Sequence, residues 1–505
     1  MSAKTLMIQG TASSVGKSIM VTALCHIFHQ DGFKVAPFKA QNMALNSFVT
    51  KEGGEIGRAQ AVQAEAAGVE PSVHMNPVLL KPERDATSQV IVLGKVARNL
   101  DAAQYYNYTP DLLKIIEDSL NQLRADYDMV VIEGAGSPAE INLKEREIVN
   151  MRVARIANAP VLLVGDIDRG GVFASLIGTM ELLSEDERNL IKGFIINKFR
   201  GDLALLKPGL AILEKRTGKP VLGVIPYFHD ITIAQEDSVY LDEKQITSAN
   251  DSPDIAIIRL PHISNYDDFD PLEKQGCTVR YVTSTSELGN PDLLILPGTK
   301  STMADLIYLQ QTGLAKAIVH HGISSVPLIG ICGGYQMLGK NIHDPEGIES
   351  QSIIINGLGL LGSETVFERE KTTTRIKAKV IANDGLLAGL EGLEIEGYEI
   401  HAGQTKGQNC LPAFQVTETP QGKTDYHDGA VANGGWILGT YIHGLFHNIG
   451  FTHAILNRLQ ERRGLPPIAS IPLNRQEQYD KLAEIVRQNL DMDKVYDIAL
   501  GSNHD

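Results

Sequence analysis

GTASSVGKS, residues 10–18, decides the fold of the N-terminal half, because it follows the apolar run TLMIQ (5–9) and opens the amphipathic stretch SIMVTALCHIFHQ (18–30). A strand, a glycine-bearing loop and a helix in that order make a phosphate cradle. The glycines let backbone amides turn toward phosphate oxygens, and the helix start adds partial positive charge. Thr11, Gly16, Lys17 and Ser18 are therefore expected to hold ATP, with Lys17 at the β- and γ-phosphates and the Ser18 hydroxyl on Mg2+.

Outward from this loop, short apolar runs alternate with amphipathic stretches: KVAPFK (34–39), MVVIEG (129–134), PVLLVGD (160–166), GFIINK (193–198) and VLGVIP (221–226). That alternation predicts a parallel sheet covered by helices. The loop is one residue longer than the usual phosphate loop, with five positions between Gly10 and Gly16. It resembles the variant found in dethiobiotin synthetase and its relatives, which use ATP to phosphorylate a carboxylate. Glu133, ending a strand beside the loop, is the second expected Mg2+ ligand, and Asp166 and Asp168 at another strand end could serve instead. Asn197, at the end of GFIINK, resembles the adenine-recognising asparagine of related ATPases.

Length and composition bound the rest. A chain of 505 residues exceeds what one core usually serves, so two or three domains are expected. The net charge of −15 argues against nucleic acid as a partner. No stretch is apolar and long enough to span a bilayer, and the opening MSAKTLMIQG reads as a strand rather than a signal peptide, which predicts a cytoplasmic protein. Four widely spaced cysteines without a C-x-x-C pair argue against disulfides or structural zinc.

The polar stretch around 236–253 reads as a linker between a first domain over 1–235 and a second over 254–450. The second shows its own alternating series, DIAIIRL (254–260), TVRYVT (278–283), DLLILPG (292–298), PLIGIC (327–332), EGYEI (396–400) and GWILGTYI (435–442). After Phe446 the pattern turns helical. Leu482, Ile485, Val486 and Leu490 share one face, so a tail over 451–505 is expected to pack on the second domain.

PLIGICGGYQMLG (327–339) is a strand, a glycine-flanked turn carrying Cys332, and a helix. Such an elbow lifts a nucleophile above the sheet edge. Gly333 and Gly298, the latter in LPGTKST (296–302), are the expected oxyanion-hole amides. The base for the thiol is expected in GTYIHGLFHN (439–448) at His443, with His447 and His401 as rivals. Class I glutaminases place their histidine at such a strand end and add a glutamate two residues later. Leu445 stands there instead, so a Cys–His dyad oriented by another group is expected.

The two halves then explain each other. Breaking the resonance of a carboxylate calls for activation by ATP as an acyl phosphate, and glutamine hydrolysis at Cys332 supplies the ammonia that displaces the phosphate.

Taken together, GTASSVGKS, PFKAQNMALNSFVT (37–50), GEIGRAQAVQAEAAGVEPSVHMNPVLLKP (54–82), VIEGAGSPAEINL (131–143), GDIDRGGVFAS (165–175), INKFRGD (196–202), PGTKST, GICGGYQMLG and GYEIHAG (397–403) resemble the cobyric acid synthase family over essentially the whole chain. The resemblance implies a P-loop synthetase domain followed by a class I glutaminase domain, and use of ATP, Mg2+ and glutamine. It also implies a corrinoid substrate, adenosylcobyrinic acid a,c-diamide, amidated at its b, d, e and g carboxylates. The family commonly lacks the triad glutamate, in keeping with Leu445, and often carries an acid where this chain has Ser14. A polycarboxylate needs local cations, for which Lys39, Arg58, Lys81, Arg84 and Arg169 are candidates. Gln41, Asn42 and Asn46 could grip amides or the ring periphery, and Asp166 and Asp168 share the same blocks. Two rivals are cobyrinic acid a,c-diamide synthase, which amidates other positions, and a nonenzymatic P-loop switch of the partitioning type, which would leave Cys332 without a purpose.

Overall fold

The computed structural model describes residues 3–84, 87–228, 231, 252–350, 352–407, 410–472 and 474–501. Most of the expected linker, 236–253, lies outside them. The chain divides into two compact units. The first is Met1–Ala44, Ile56–Asp237 and Asn474–Asp505, and the second is Leu45–Glu55 and Ser238–Leu473.

The first unit is built on a parallel sheet of β1 (Lys4–Gly10), β2 (Val35–Phe38), β3 (Met129–Glu133), β4 (Val161–Asp166), β5 (Ile191–Phe199) and β6 (Val221–Pro226). Their spatial order is β6-β5-β4-β1-β3-β2. The strands read as continuous apolar runs because both faces are covered. The order reverses around β1, which pairs with β3 on one side and β4 on the other. Ligands of open α/β sheets bind at the carboxyl ends beside such a switch point. The phosphate loop lies there, between β1 and helix α1 (Lys17–Gln30).

The second unit has its own sheet of β7 (Asp254–Ile258), β8 (Thr278–Val282), β9 (Leu293–Leu296), β10 (Leu328–Ile331), β11 (Ala430–Ala432) and β12 (Ile437–Thr440). The order is β8-β7-β9-β10-β12-β11, parallel except for the edge strand β11. The short helix α2 (Gly333–Leu338) follows β10. A second, largely antiparallel sheet is dominated by the long paired strands Ser363–Val380 and Glu394–Gly407; the expected strand EGYEI (396–400) falls within the second of these rather than in the parallel sheet.

The tail corrects an expectation. Helices α3 (Arg475–Asn489) and α4 (Met492–Leu500) belong to the first unit, not to the second. Tyr479, Leu482, Ala483, Val486 and Leu490 share a buried cluster with Met20, Leu24, Ile27 and Phe28 of α1. The reason is that α1 is apolar nearly all round and needs cover on the face turned away from β1. Buried His26 reinforces the contact, with Nε2 2.7 Å from Asp480 and Nδ1 2.7 Å from the Ala66 carbonyl. The first domain is also not continuous over 1–235, since Leu45–Glu55 belongs to the second unit.

Candidate functional site

In the first unit the expected groups gather at the carboxyl edge of the sheet. Gly16 has φ +102°, and a Cβ there would stand 2.1 Å from Asn197 Nδ2, so only glycine lets the loop close on β5. Asn197 donates from Nδ2 to the Val15 carbonyl at 2.8 Å, bracing the loop from beneath. Lys17, nearly buried, donates to the carbonyls of Ala12 (2.9 Å) and Gly136 (3.2 Å). The loop is thus held in a cradle shape by its own lysine and by the neighbouring strand ends.

Glu133 is the electrostatic centre of this site. Its Oε1 accepts from Ser18 Oγ at 2.8 Å and Lys39 Nζ at 2.9 Å, and its Oε2 accepts from Gln63 Nε2 at 2.5 Å. Burial alone would push its pKa up. The Lys39 ammonium and these hydrogen bonds outweigh burial and hold it below the usual carboxylate range. Lys39, expected among the corrinoid-binding cations, is therefore the partner of Glu133. Gln63 is a residue the sequence reading passed over; its place on the helix Arg58–Ala66, one turn beyond Arg58, is the only signal it leaves.

No cluster of three or more His, Cys, Asp or Glu side chains stands ready for a metal among the described residues. A charged carboxylate beside a serine hydroxyl at the phosphate loop nevertheless fits Mg2+, which takes one or two protein oxygens and leaves the rest to phosphate and water.

The other expected residues of this unit separate into two places. Gln41 and Asn42 lie on a strand paired with Val78–Leu80, where Gln41 accepts from the Tyr105 hydroxyl and Asn42 donates to Gln60 at 2.9 Å. Lys81 and Arg84 continue that neighbouring strand; the side chain of Arg84 lies outside the described residues. Asp166 and Asp168 sit at the end of β4, paired with Lys198 (2.8 Å) and Arg200 (2.9 Å). Arg169 follows and is exposed, whereas Arg58 is buried. Asn46 belongs to neither place. It is wholly buried in the second unit.

In the second unit three adjacent strands bring together the expected catalytic groups: β9 ends before Gly298, β10 before Cys332, and β12 shortly before His443. Cys332 has φ +52° and ψ −111°, a left-handed conformation that a residue with a Cβ adopts only when its surroundings impose it. The imposition is steric. A Cβ at Gly334 would lie 2.0 Å from the Leu296 carbonyl oxygen, and one at Gly333 would lie 2.7 Å from Thr299 Cγ2. The elbow therefore presses against the end of β9, which brings the Gly298–Thr299 and Gly333 backbones together.

Cys332 Sγ donates to the Ile400 carbonyl at 3.3 Å, and Cys332 lies close enough to His443 to help raise its pKa. A Cβ on Gly298 would stand 3.0 Å from His443 Cε1, so the expected oxyanion-hole strand borders the same imidazole. Of the three candidate histidines, His443 is the one whose pKa Cys332 shifts. His401 instead directs Nδ1 to the Gly403 carbonyl at 2.8 Å and stacks 3.7 Å from the Tyr441 ring, on the wall of a cavity of about 740 Å³ that Glu399 and Asp428 also line. Burial pushes the His401 pKa down to about 4, leaving it neutral. His447 lies in the short 3-10 turn after Gly444.

The group that holds His443 is Asp268, which sequence reasoning missed. Its Oδ2 accepts from His443 Nδ1 at 2.7 Å and its Oδ1 accepts from the Gly444 amide at 2.8 Å. Both residues are about 1% exposed. Burial would lower the His443 pKa, but Asp268 first, and then Cys332, raise it to about 10. The imidazole therefore carries its proton at neutral pH. Asp268 lies 175 residues before His443, in the acidic run YDDFD (266–270). That run was the available signal, and nothing in its spacing tied it to a histidine so far along the chain.

Comparison with known proteins agrees with this division. Residues 6–239 match the CobQ/CobB/MinD/ParA nucleotide binding domain, and residues 254–451 match the CobB/CobQ-like glutamine amidotransferase domain. A cobyric acid synthase of Dehalococcoides mccartyi (strain CBDB1) is 60% identical over 98% of this chain and 99% of its own length. Those of Desulforamulus reducens and Desulfitobacterium hafniense are 54% and 50% identical, covering 98% and 97% of this chain and 98% and 96% of theirs.

Proposed function

Since the chain belongs to the cobyric acid synthase family and is a glutamine-dependent amidotransferase, we propose that it amidates the b, d, e and g carboxylates of adenosylcobyrinic acid a,c-diamide, one ammonia for each. Cys332 Sγ attacks the side-chain amide carbon of glutamine as the thiolate, its proton being the one that His443 holds, and the oxyanion is met by amides of the Gly298 and Gly333 strand ends. His443 gives its proton to the departing ammonia, leaving a thioester that water hydrolyses to glutamate. Asp268 keeps Nδ1 protonated and the ring aimed, the part the absent glutamate plays in related glutaminases.

In the first unit ATP would lie on residues 10–18, with its phosphates over Lys17. Ser18 and Glu133 would hold Mg2+, which supplies charge neutralisation on the phosphate oxygens when bound. The γ-phosphoryl group passes to a corrinoid carboxylate, and ammonia displaces phosphate from the resulting acyl phosphate. Gln41, Asn42, Lys81, Arg84 and Arg169 would meet the corrinoid. No helix among the described residues is long and apolar enough to cross a membrane.

The observation that carries this reading is the meeting of Cys332 with His443 at neighbouring strand ends, in a chain whose other unit presents a complete phosphate cradle. Incubating the protein with corrinoid, ATP and glutamine, and counting new amides by mass spectrometry, tests it. Four additions are expected. Two additions to cobyrinic acid, with none to its a,c-diamide, would assign the chain to the diamide synthase chemistry instead.

A further inference from the structure

We propose that Asn46 and Ser47 are positioning residues of the glutaminase, holding the turn that carries Asp268, and that Asn46 does not grip the corrinoid. The proposal rests on the Cys332–His443 reading above. It starts from an oddity of the chain: Leu45–Glu55 lies in sequence within the nucleotide-binding half yet belongs to the second unit. Inside that unit this segment touches the supports of each catalytic group.

The Asn46 side chain accepts from the Tyr266 amide at 3.3 Å, and the Ser47 amide donates to Asn265 Oδ1 at 3.0 Å. Asn265, in the left-handed region at φ +52°, is the residue from which the turn Tyr266–Phe269 departs, and its carbonyl accepts from the Asp268 amide at 3.1 Å. Asp268 in turn holds His443. The next two residues reach the other supports. Phe48 lies 6.1 Å from the Tyr398 ring, which stacks on His443 at 5.3 Å. Val49 is buried in one cluster with Tyr398 and with Ile400, whose carbonyl receives the Cys332 thiol. The segment is itself fixed: Arg375 Nε donates to the Val49 carbonyl at 2.9 Å, and Lys371 pairs with Glu55 at 2.5 Å.

A side chain buried among these supports is in a position to set the aim of the imidazole. The test measures glutamate release and amidation in the full-length protein carrying Asn46→Ala. The turnover number for glutamine is expected to fall about three- to tenfold, the effect of one lost buried hydrogen bond on a positioned base. The KM for glutamine, the corrinoid KM and the rate with ammonium chloride are expected to hold. Asn265→Gly is the second variant: glycine accepts the left-handed backbone, so the fold is kept while the Ser47 contact is lost, and the same pattern is expected. A raised corrinoid KM with ammonium chloride, an equal loss with both nitrogen sources, or unchanged turnover in both variants would each overturn the proposal. The amide count described above uses the unaltered protein, so its failure is separable from failure here.

Discussion

At the scale of single residues, the site is a set of groups each held in a form it would not choose in water. His443 shows this most plainly. Buried alone it would lose its proton; facing Asp268 at 2.7 Å it keeps the proton up to a pKa of about 10. A pKa raised above the ordinary imidazole value of 6.5 means the pair's contribution to stability is fully present below about pH 6.5 and is lost as pH rises through about 10. Asp268→Asn is therefore expected to lower the melting temperature most below pH 6.5, with the gap to the unaltered protein narrowing toward pH 10. The same variant is expected to lose glutamine-dependent turnover by about a hundredfold or more, since an imidazole without its carboxylate is held in the wrong tautomer. Asp268→Glu, which restores the charge, should recover part of it. A melting difference that does not vary with pH would show that Asp268 acts by packing alone.

At the scale of elements, legibility followed the pattern of burial. The strands of the two parallel sheets are apolar on both faces, so β1, β4 and β10 stand out in the sequence with their ends within a residue or two. The strand Ser363–Val380 alternates buried and more open positions only at its two ends, with no buried position over 368–375, and carries charges along SETVFEREKTTTRIKAKV, so no apolar run announced it. The phosphate loop and the cysteine elbow were legible because their glycines are fixed by local sterics. Asp268 and Asn46 were not, because their roles arise from contacts between residues far apart in sequence. The tail illustrates the same limit. Its stripe of Leu482, Ile485, Val486 and Leu490 identified a buried face without saying that α1 was the partner. Leu482→Ala in α3 should cost the first unit about 2–5 kcal/mol. In thermal inactivation, ammonia-dependent amidation is expected to fail at a lower temperature while glutamate release keeps its inactivation temperature. A fall in the glutaminase temperature instead would place the helix on the other unit.

At the scale of the whole molecule, each unit borrows chain from the other's stretch of sequence. The second unit includes Leu45–Glu55 and the first includes Asn474–Asp505, so cutting at the expected linker would leave both halves without a buried element. The division of labour therefore has to be tested by point substitutions in the intact chain. Cys332→Ser removes the nucleophile but leaves the phosphate cradle, so glutamine-dependent synthesis is expected to disappear while synthesis from ammonium chloride continues at close to its original rate. Lys17→Ala removes the cation over the phosphates, and activation precedes ammonia in either case. Product formation is then expected to vanish with both nitrogen sources. The two variants mixed in one solution should regain little synthesis from glutamine unless ammonia released at Cys332 of one molecule reaches a cradle in another through bulk water, where most of it is protonated at neutral pH. If Cys332→Ser abolished the ammonia-supported reaction as well, the elbow would serve the synthetase directly, and the separation of glutamine hydrolysis from carboxylate activation would be wrong.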